Sequence, residues 1–279
     1  MMKLEFPNLD SFLLAALNED IGTGDITTTC CVSVDAVSTG KFIAKENGII
    51  CGLGIISRVF TLLDNSVSLT ARVEDGTAVN KGDVIADIAG PSQAILTGER
   101  TALNILQYLS GIATATAAAS GAAVGTKTKI VDTRKVIPGM RTLAKYAVRC
   151  GGGCNHRFGL SDGILIKDNH IAASGGIANA ITLARTGSPH TLKIEIEVES
   201  IDQVTQALDS GADIIMLDNM SIEDMTEAVK LINGRALTEA SGNMGDRDIK
   251  AVAATGVDFI SIGALTHTVR ALDISLRFA

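Results

Sequence analysis

The rhythm of apolar and polar positions changes twice along the chain. Over residues 8–20, Leu9, Phe12, Leu13, Ala16 and Leu17 recur at helical spacing and share one face of an amphipathic helix. Between 38 and 96 the period shortens to two. Val67, Leu69, Ala71 and Val73 alternate with Ser68, Thr70 and Arg72, and such runs are bounded by Gly48, Gly76, Gly82 and Gly90. That predicts hairpins in an all-β or α+β segment. An Ala-rich helix carrying Leu103, Ile105, Leu106 and Leu109 follows over 98–124. Beyond it, short apolar runs at 129–132, 164–167, 194–199, 213–217, 236–239 and 258–262 alternate with helical stretches. Helices are expected over 140–149, 171–186, 202–210, 222–232, 246–255 and 265–274. The spacing is that of βα units and a parallel sheet. Six or seven strands are too few for a complete eight-stranded barrel. The expected fold is therefore α/β, an incomplete six- or seven-stranded α/β barrel over 113–269, preceded by an α+β sandwich-like domain over 1–112 that residues 270–279 could rejoin.

Composition narrows the function classes. The chain of 279 residues is 46% hydrophobic but only 3% aromatic, with no Trp, so its core is built from Ala, Ile, Leu and Val. Little remains for a base-stacking platform, and a net charge of −7 argues against a polyanion-binding surface, so no nucleic-acid partner is expected. No apolar run approaches the roughly 20 residues that cross a bilayer. Glu5, Pro7 and Asp10 interrupt the amino-terminal apolar residues, and a cytoplasmic protein without a membrane partner follows. Five cysteines, Cys30, Cys31, Cys51, Cys150 and Cys154, are an odd and irregular set that reads as free thiols. The local charge departs from the average. Residues 100–161 hold nine basic residues and the single acid Asp132, a local +8 that leaves −15 for the rest of the chain. Such a cation cluster suits a compact anionic ligand.

The chemistry gathers at the ends of the candidate strands. Asp132-Thr133-Arg134-Lys135 closes the first and Lys167-Asp168-Asn169-His170 the second, while Glu195 and Glu197 lie within the third. Asp218-Asn219 ends the fourth, Glu239-Ala240-Ser241-Gly242 the fifth and Gly263 the sixth. In α/β barrels these ends converge on the active site. Arg134 and Arg157 are planar forks suited to bidentate carboxylate or phosphate contacts, and Lys135 and Lys167 are point charges. Glu197 and Asp218 could hold Mg2+ through oxygen or water, or bind the hydroxyls of a sugar. Ser241-Gly242 and the Gly263 turn are small residues where backbone N–H groups could cradle a phosphate.

The ordered motifs closely resemble the quinolinate phosphoribosyltransferase family. They are Glu99-Arg100-Thr101-Ala102-Leu103-Asn104, the Asp132-Thr133-Arg134-Lys135 strand end, Cys150-Gly151-Gly152-Gly153-Cys154-Asn155-His156-Arg157 and Leu165-Ile166-Lys167-Asp168-Asn169-His170. Leu217-Asp218-Asn219, Glu239-Ala240-Ser241-Gly242 and Gly263-Ala264-Leu265-Thr266-His267 complete the set, and Glu19-Asp20-Ile21-Gly22-Thr23-Gly24-Asp25 extends it toward the amino terminus. The resemblance implies a pentosyltransferase of NAD biosynthesis. Such an enzyme transfers phosphoribosyl from phosphoribosyl pyrophosphate to quinolinate with decarboxylation, yielding nicotinate mononucleotide, pyrophosphate and CO2. It implies that Arg134, His156 and Arg157, with Lys135 and Lys167, hold the two quinolinate carboxylates in a pocket that also includes Thr133. Arg100 would reach that pocket from the neighbouring subunit of a homodimer or higher homo-oligomer. Glu197 and Asp218 would face the ribose and Mg2+ and, with Lys135 and Lys167, carry the catalytic roles. Ser241, Gly242, Asn243 and Gly263 would bind phosphate, with His267 close by. Two positions depart from the family pattern: Asn243 stands where some relatives have a second glycine, and Val136 where Thr is frequent.

Arg141, Lys145 and Arg149 read as surface or supporting charges, His170 as either a strand-end cap or a site residue, and His190 as an exposed loop residue. Three rivals carry their own signatures. A Schiff-base lyase would use Lys167 as nucleophile and needs that lysine uncharged. A paralogue of the same fold associated with molybdenum transport is a second, and a β-sandwich carrier would need a modifiable hairpin lysine beside residues 74–85, where none is evident.

Overall fold

The computed structural model describes residues 6–278. In chain order it comprises α1 (Leu9–Ile21), α2 (Ile26–Cys31), β1 (Val37–Ala44), β2 (Gly48–Ile49), α3 (Leu53–Leu63), β3 (Ser68–Ala71), β4 (Ala78–Val79), β5 (Val84–Pro91) and α4 (Ser92–Ala122). There follow β6 (Lys129–Val131), α5 (Arg141–Cys150), β7 (Ile164–Ile166), α6 (Asp168–Ser174), α7 (Ile177–Gly187), β8 (Ile194–Val198), α8 (Ile201–Asp209) and β9 (Ile214–Asp218). Last come α9 (Ile222–Ile232), β10 (Leu237–Ser241), α10 (Ile249–Ala254), β11 (Phe259–Ser261), α11 (Ala264–His267) and β12 (Ile274–Phe278). None of the described helices is long and apolar enough to cross a membrane.

The chain divides into two compact units. One takes Met1–Ala115, Pro138–Gly152 and Val269–Ala279. It holds an antiparallel sheet in the order β12-β1-β5-β3 and the two-stranded ribbon β2-β4. Its core is lined by Leu13 and Leu17 of α1 and by Leu103, Leu106 and Leu109 of α4, all buried. The strand rhythm of 38–96 had no place for α3, yet Leu53, Ile55, Ile56, Val59 and Phe60 recur at helical spacing there and are all buried. α5, expected in the barrel domain, groups with this unit, and its Tyr146 Oη donates to Asp75 Oδ2 there at 2.7 Å. Its Lys145 is buried rather than on a solvated face, alongside Leu143, Ala144, Ala147 and Val148. The helix expected over 265–274 is absent beyond α11. Ile274 and Leu276 alternate with Ser275 and Arg277, a strand pattern, and β12 pairs with β1.

The other unit takes Thr116–Ile137 and Gly153–Thr268. Its six strands are parallel throughout, ordered β6-β11-β10-β9-β8-β7. Among the described residues no ladder joins β6 to β7, so the barrel is incomplete at six strands. Instead Cys154 bridges the outer edge of β6, donating its N–H to the Ile130 carbonyl at 2.8 Å. Ile194, Ile196, Ile215, Leu217, Ala240 and Ile260 on the strands pack against Val204, Ala207, Met225, Ala228 and Val252 on the helices. Each large buried side chain contributes about 1.5–3 kcal/mol over its exposed state. The turns into the helices are fixed by side-chain caps: Ser221 accepts from Asp224 N–H at 3.0 Å and Asp248 from Lys250 N–H at 3.0 Å. The helix expected over 171–186 is two, α6 and α7, because Gly175 and Gly176 take φ values of 84° and 130°.

Candidate active site

A cleft of about 480 Å³ opens at the carboxyl ends of the barrel strands. Of the residues singled out from the sequence, Thr133, Arg134 and Lys135 reach it from the end of β6, His156 and Arg157 from the segment before β7, and Lys167 from the end of β7. Glu197 enters from β8, Asp218 from β9, and Ser241, Gly242 and Asn243 from the end of β10. Parallel strands in register deliver these ends to one rim, which is why residues up to 110 positions apart meet. Gly263 and His267 lie beside Lys135: a Cβ at Gly263 would sit 3.1 Å from both Lys135 Cδ and His267 Nε2. Arg100 is an exposed residue of α4 in the other unit. His170 is a cap, its Nδ1 accepting the Lys167 N–H at 3.0 Å, and His190 is exposed.

The strand-end motifs are held by their own hydrogen bonds. Fully buried Asp132 accepts the His156 N–H at 2.9 Å and Asn155 Nδ2 at 2.6 Å, tying the glycine-rich segment to β6. Lys135 is anchored through its backbone, its N–H donating to Thr133 Oγ1 at 3.0 Å and its carbonyl accepting from Thr266 Oγ1 at 2.6 Å. Arg157 Nη1 donates to the Gly163 carbonyl at 2.9 Å. Burial lowers the pKa of Arg157, and the nearby Arg134 guanidinium lowers it further, with Glu195 and Asp162 opposing. Two guanidiniums whose charges act on one another in one cleft are relieved by a bound anion. Lys167 Nζ is ion-paired to Glu197 Oε2, so one expected carboxylate ligand and one expected ribose-side acid hold each other.

Glu195 and Glu239 were given no role from sequence, and the structure places both beneath His156. Its Nε2 lies 3.1 Å from Glu195 Oε2 and 3.7 Å from Glu239 Oε2, while its Nδ1 accepts the Arg157 N–H at 2.7 Å. Both ring nitrogens are thus engaged with the protein. The remaining oxygen of each carboxylate, Oε1, is buried without a hydrogen-bond partner within 3.5 Å among the described residues. Burial, then the charge of Glu195, pushes the Glu239 carboxyl up to about 8. Glu195 and Glu197 point to the same side of β8 at two depths, and their i, i+2 spacing was the available signal.

Three groups could hold a cation. Glu197 and Asp218 offer hard oxygens from adjacent strands at the rim, a donor set that fits Mg2+. The His156, Glu195 and Glu239 group lies deeper. In the other unit Cys51, Asp75 and Cys150 come together, but Asp75 already accepts from Gly52, Leu53 and Tyr146. All five cysteines are free, and the spatial neighbour of Cys150 is Cys51.

The left-handed backbone accounts for the departure at Asn243. Its φ is 49°, a conformation that Asn adopts more readily than most residues with a Cβ, so the substitution for glycine fits the turn. Nothing in the structure explains Val136.

Comparison with known proteins places the chain as a whole. Residues 25–110 match the family model for the N-terminal domain of quinolinate phosphoribosyl transferase and 112–277 that for its C-terminal domain. A Bacillus subtilis protein named as a probable nicotinate-nucleotide pyrophosphorylase (carboxylating) is 47% identical over 92% of this chain and 89% of its own. The Mycobacterium leprae nicotinate-nucleotide pyrophosphorylase (carboxylating) is 41% identical over 98% of each. A solved nicotinate-nucleotide pyrophosphorylase from Francisella tularensis superposes with a TM-score of 0.94 at 43% identity, over 99% of this chain and 98% of that one.

Proposed function

The chain belongs to the quinolinate phosphoribosyltransferase family, and on that footing we propose how the cleft at the strand ends performs the family's reaction. The enzyme transfers phosphoribosyl from phosphoribosyl pyrophosphate to quinolinate with decarboxylation, giving nicotinate mononucleotide, pyrophosphate and CO2 in NAD biosynthesis.

What supports the residue roles is a single observation: four cations, Arg134, Lys135, Arg157 and Lys167, share one cleft with the rim acids Glu197 and Asp218 and the buried Glu239. The cations take the two carboxylates of quinolinate, the arginines as forks. A carboxylate arriving at Lys167 competes with Glu197 for it and frees that acid to face the ribose. When pyrophosphate leaves, positive charge develops on the ribose ring, and Glu197 and Asp218 stabilise it. The ring nitrogen of quinolinate, now bonded to the ribose, is cationic. Its positive charge stabilises the electron pair left on the adjacent ring carbon when the carboxylate there departs as CO2, and that pair then takes up a proton in place of the lost carboxylate. Positioning and charge balance supply the catalysis, with no nucleophilic side chain. Glu197 and Asp218 would also hold Mg2+, which when bound offsets the charge of the pyrophosphate. Ser241, Gly242, Asn243 and Gly263, with His267 nearby, take the phosphate. A homodimer in which Arg100 completes the neighbouring cleft, and a cytoplasmic location, belong to the same proposal.

Purified protein given Mg2+, phosphoribosyl pyrophosphate and quinolinate should release pyrophosphate and CO2 in equal amounts. Pyrophosphate release indifferent to quinolinate would refute the proposal. Borohydride trapping of a substrate on Lys167 would instead support the Schiff-base reaction, which would require that lysine to leave its ion pair with Glu197.

A further inference from the structure

Asn219 takes no part in the cation and acid pairs of the cleft, yet it stands where two strand ends meet. It follows Asp218, the last residue of β9, and its φ of 55° lies in the left-handed region. Its Nδ2 donates to Asp218 Oδ2 at 2.7 Å. Its backbone N–H donates to the carbonyl of Ser241, the last residue of β10, at 3.0 Å. A third contact concerns Gly242, where a Cβ would fall 2.6 Å from both Asn219 Cγ and Asn219 N, and closer still to Oδ1. The bare backbone at Gly242 therefore makes room for Asn219. The side chain also lines the cleft.

We propose that Asn219 is a positioning residue for phosphoribosyl transfer. It holds the Asp218 carboxylate and the Ser241-Gly242-Asn243 turn at a fixed separation, so that both meet one substrate at once. The inference rests on the reading of Asp218 as a ribose-side acid and of the turn as a phosphate cradle. A carboxylate at a strand end can rotate about its terminal torsion. An amide donor on Oδ2 fixes that rotation and leaves Oδ1 to face the ligand. The left-handed backbone confines the position to residues such as Asn, Asp and Gly that adopt it at little cost.

The test compares Asn219→Gly, which keeps the backbone conformation and removes the amide, with Asn219→Asp, which keeps the size and exchanges the donor for a second carboxylate. Steady-state constants for each substrate are measured at saturating concentrations of the other, together with the thermal unfolding midpoint. Asn219→Gly should lower kcat/KM for phosphoribosyl pyrophosphate by about 10–100-fold. Its KM for quinolinate should stay within about twofold and its midpoint near the wild-type value. Asn219→Asp should lose at least as much despite its equal volume. Kinetics of Asn219→Gly within threefold of wild type, or parallel loss toward both substrates with a lowered midpoint, would overturn the role while leaving the assigned reaction intact. Absent turnover in the wild-type protein would overturn the phosphoribosyl reading and this inference with it.

Discussion

Glu239 shows what a single buried side chain does to the behaviour of the whole protein. Burial and Glu195 push its carboxyl up to about 8, whereas an exposed Glu in an unfolded chain titrates near 4.3. Between those values the folded protein keeps a proton that the unfolded chain has released. Stability from this group is therefore fully present below the unfolded pKa and is lost as pH rises through the folded one. Glu239→Gln, neutral at every pH, should flatten the fall in urea midpoint between pH 5 and 8. An unchanged slope in the variant would assign the dependence to other groups. At the rim, Arg134→Ala should abolish quinolinate binding while largely sparing phosphoribosyl pyrophosphate, and calorimetry showing equal loss of both ligands would contradict that division. Arg134 and Lys167 were legible in the sequence because charged residues at strand ends have one place to go in a barrel, and Arg157 because it stands in the basic stretch 100–161. Glu195, Glu239 and Asn219 were not. Alternation shows that Glu195 faces inward, but not that His156 will lie 3.1 Å above it, since that contact is made across strands.

Among the elements, α4 illustrates a conflict between local preference and packing. Gly111 is one of its interior residues, where Ala would ordinarily add about 1 kcal/mol to helix stability. Here a Cβ would fall 3.0 Å from the Arg270 carbonyl carbon, nearer to its oxygen, and 3.1 Å from Ala271 Cα. Overpacking against backbone costs about 1–3 kcal/mol and outweighs the propensity gain. Gly111→Ala should therefore lower the denaturant midpoint, and a raised midpoint would show that the 270–271 segment yields freely. The same segment explains where element prediction failed. Leu272 N–H donates to the Gln107 carbonyl at 3.0 Å, and Gln107 Nε2 donates to the Ile274 carbonyl at 2.7 Å, so the chain after α11 is held extended by α4. No helical pattern in 265–274 could report a partner more than 150 residues earlier. The six barrel strands were legible because each is a short apolar run followed by a helix. α3 was obscured because its apolar residues sit among glycine-bounded strands.

For the molecule as a whole, the assembly prediction is the most exposed to test. If Arg100 completes the cleft of a neighbouring subunit, mixing inactive Arg100→Ala with inactive Lys167→Ala should restore about a quarter of wild-type activity at random exchange, since half the dimers are then mixed and each carries one intact cleft. No recovery after proven exchange would contradict a shared site. The charge imbalance legible in the sequence has its structural counterpart here: Arg134, Lys135 and Arg157 from the basic stretch all line one cleft of an acidic protein. The unpaired flanks of β6 and β7 carry a consequence of their own. Backbone amides of β9 and β10 are clasped by ladders on both sides, whereas β7 has a strand on one side only and β6 has a single bridging residue on the other. Deuterium should accordingly enter β7 first and β6 next, and the centre last, so that the seam bearing His156 and Arg157 is the part of the barrel that breathes.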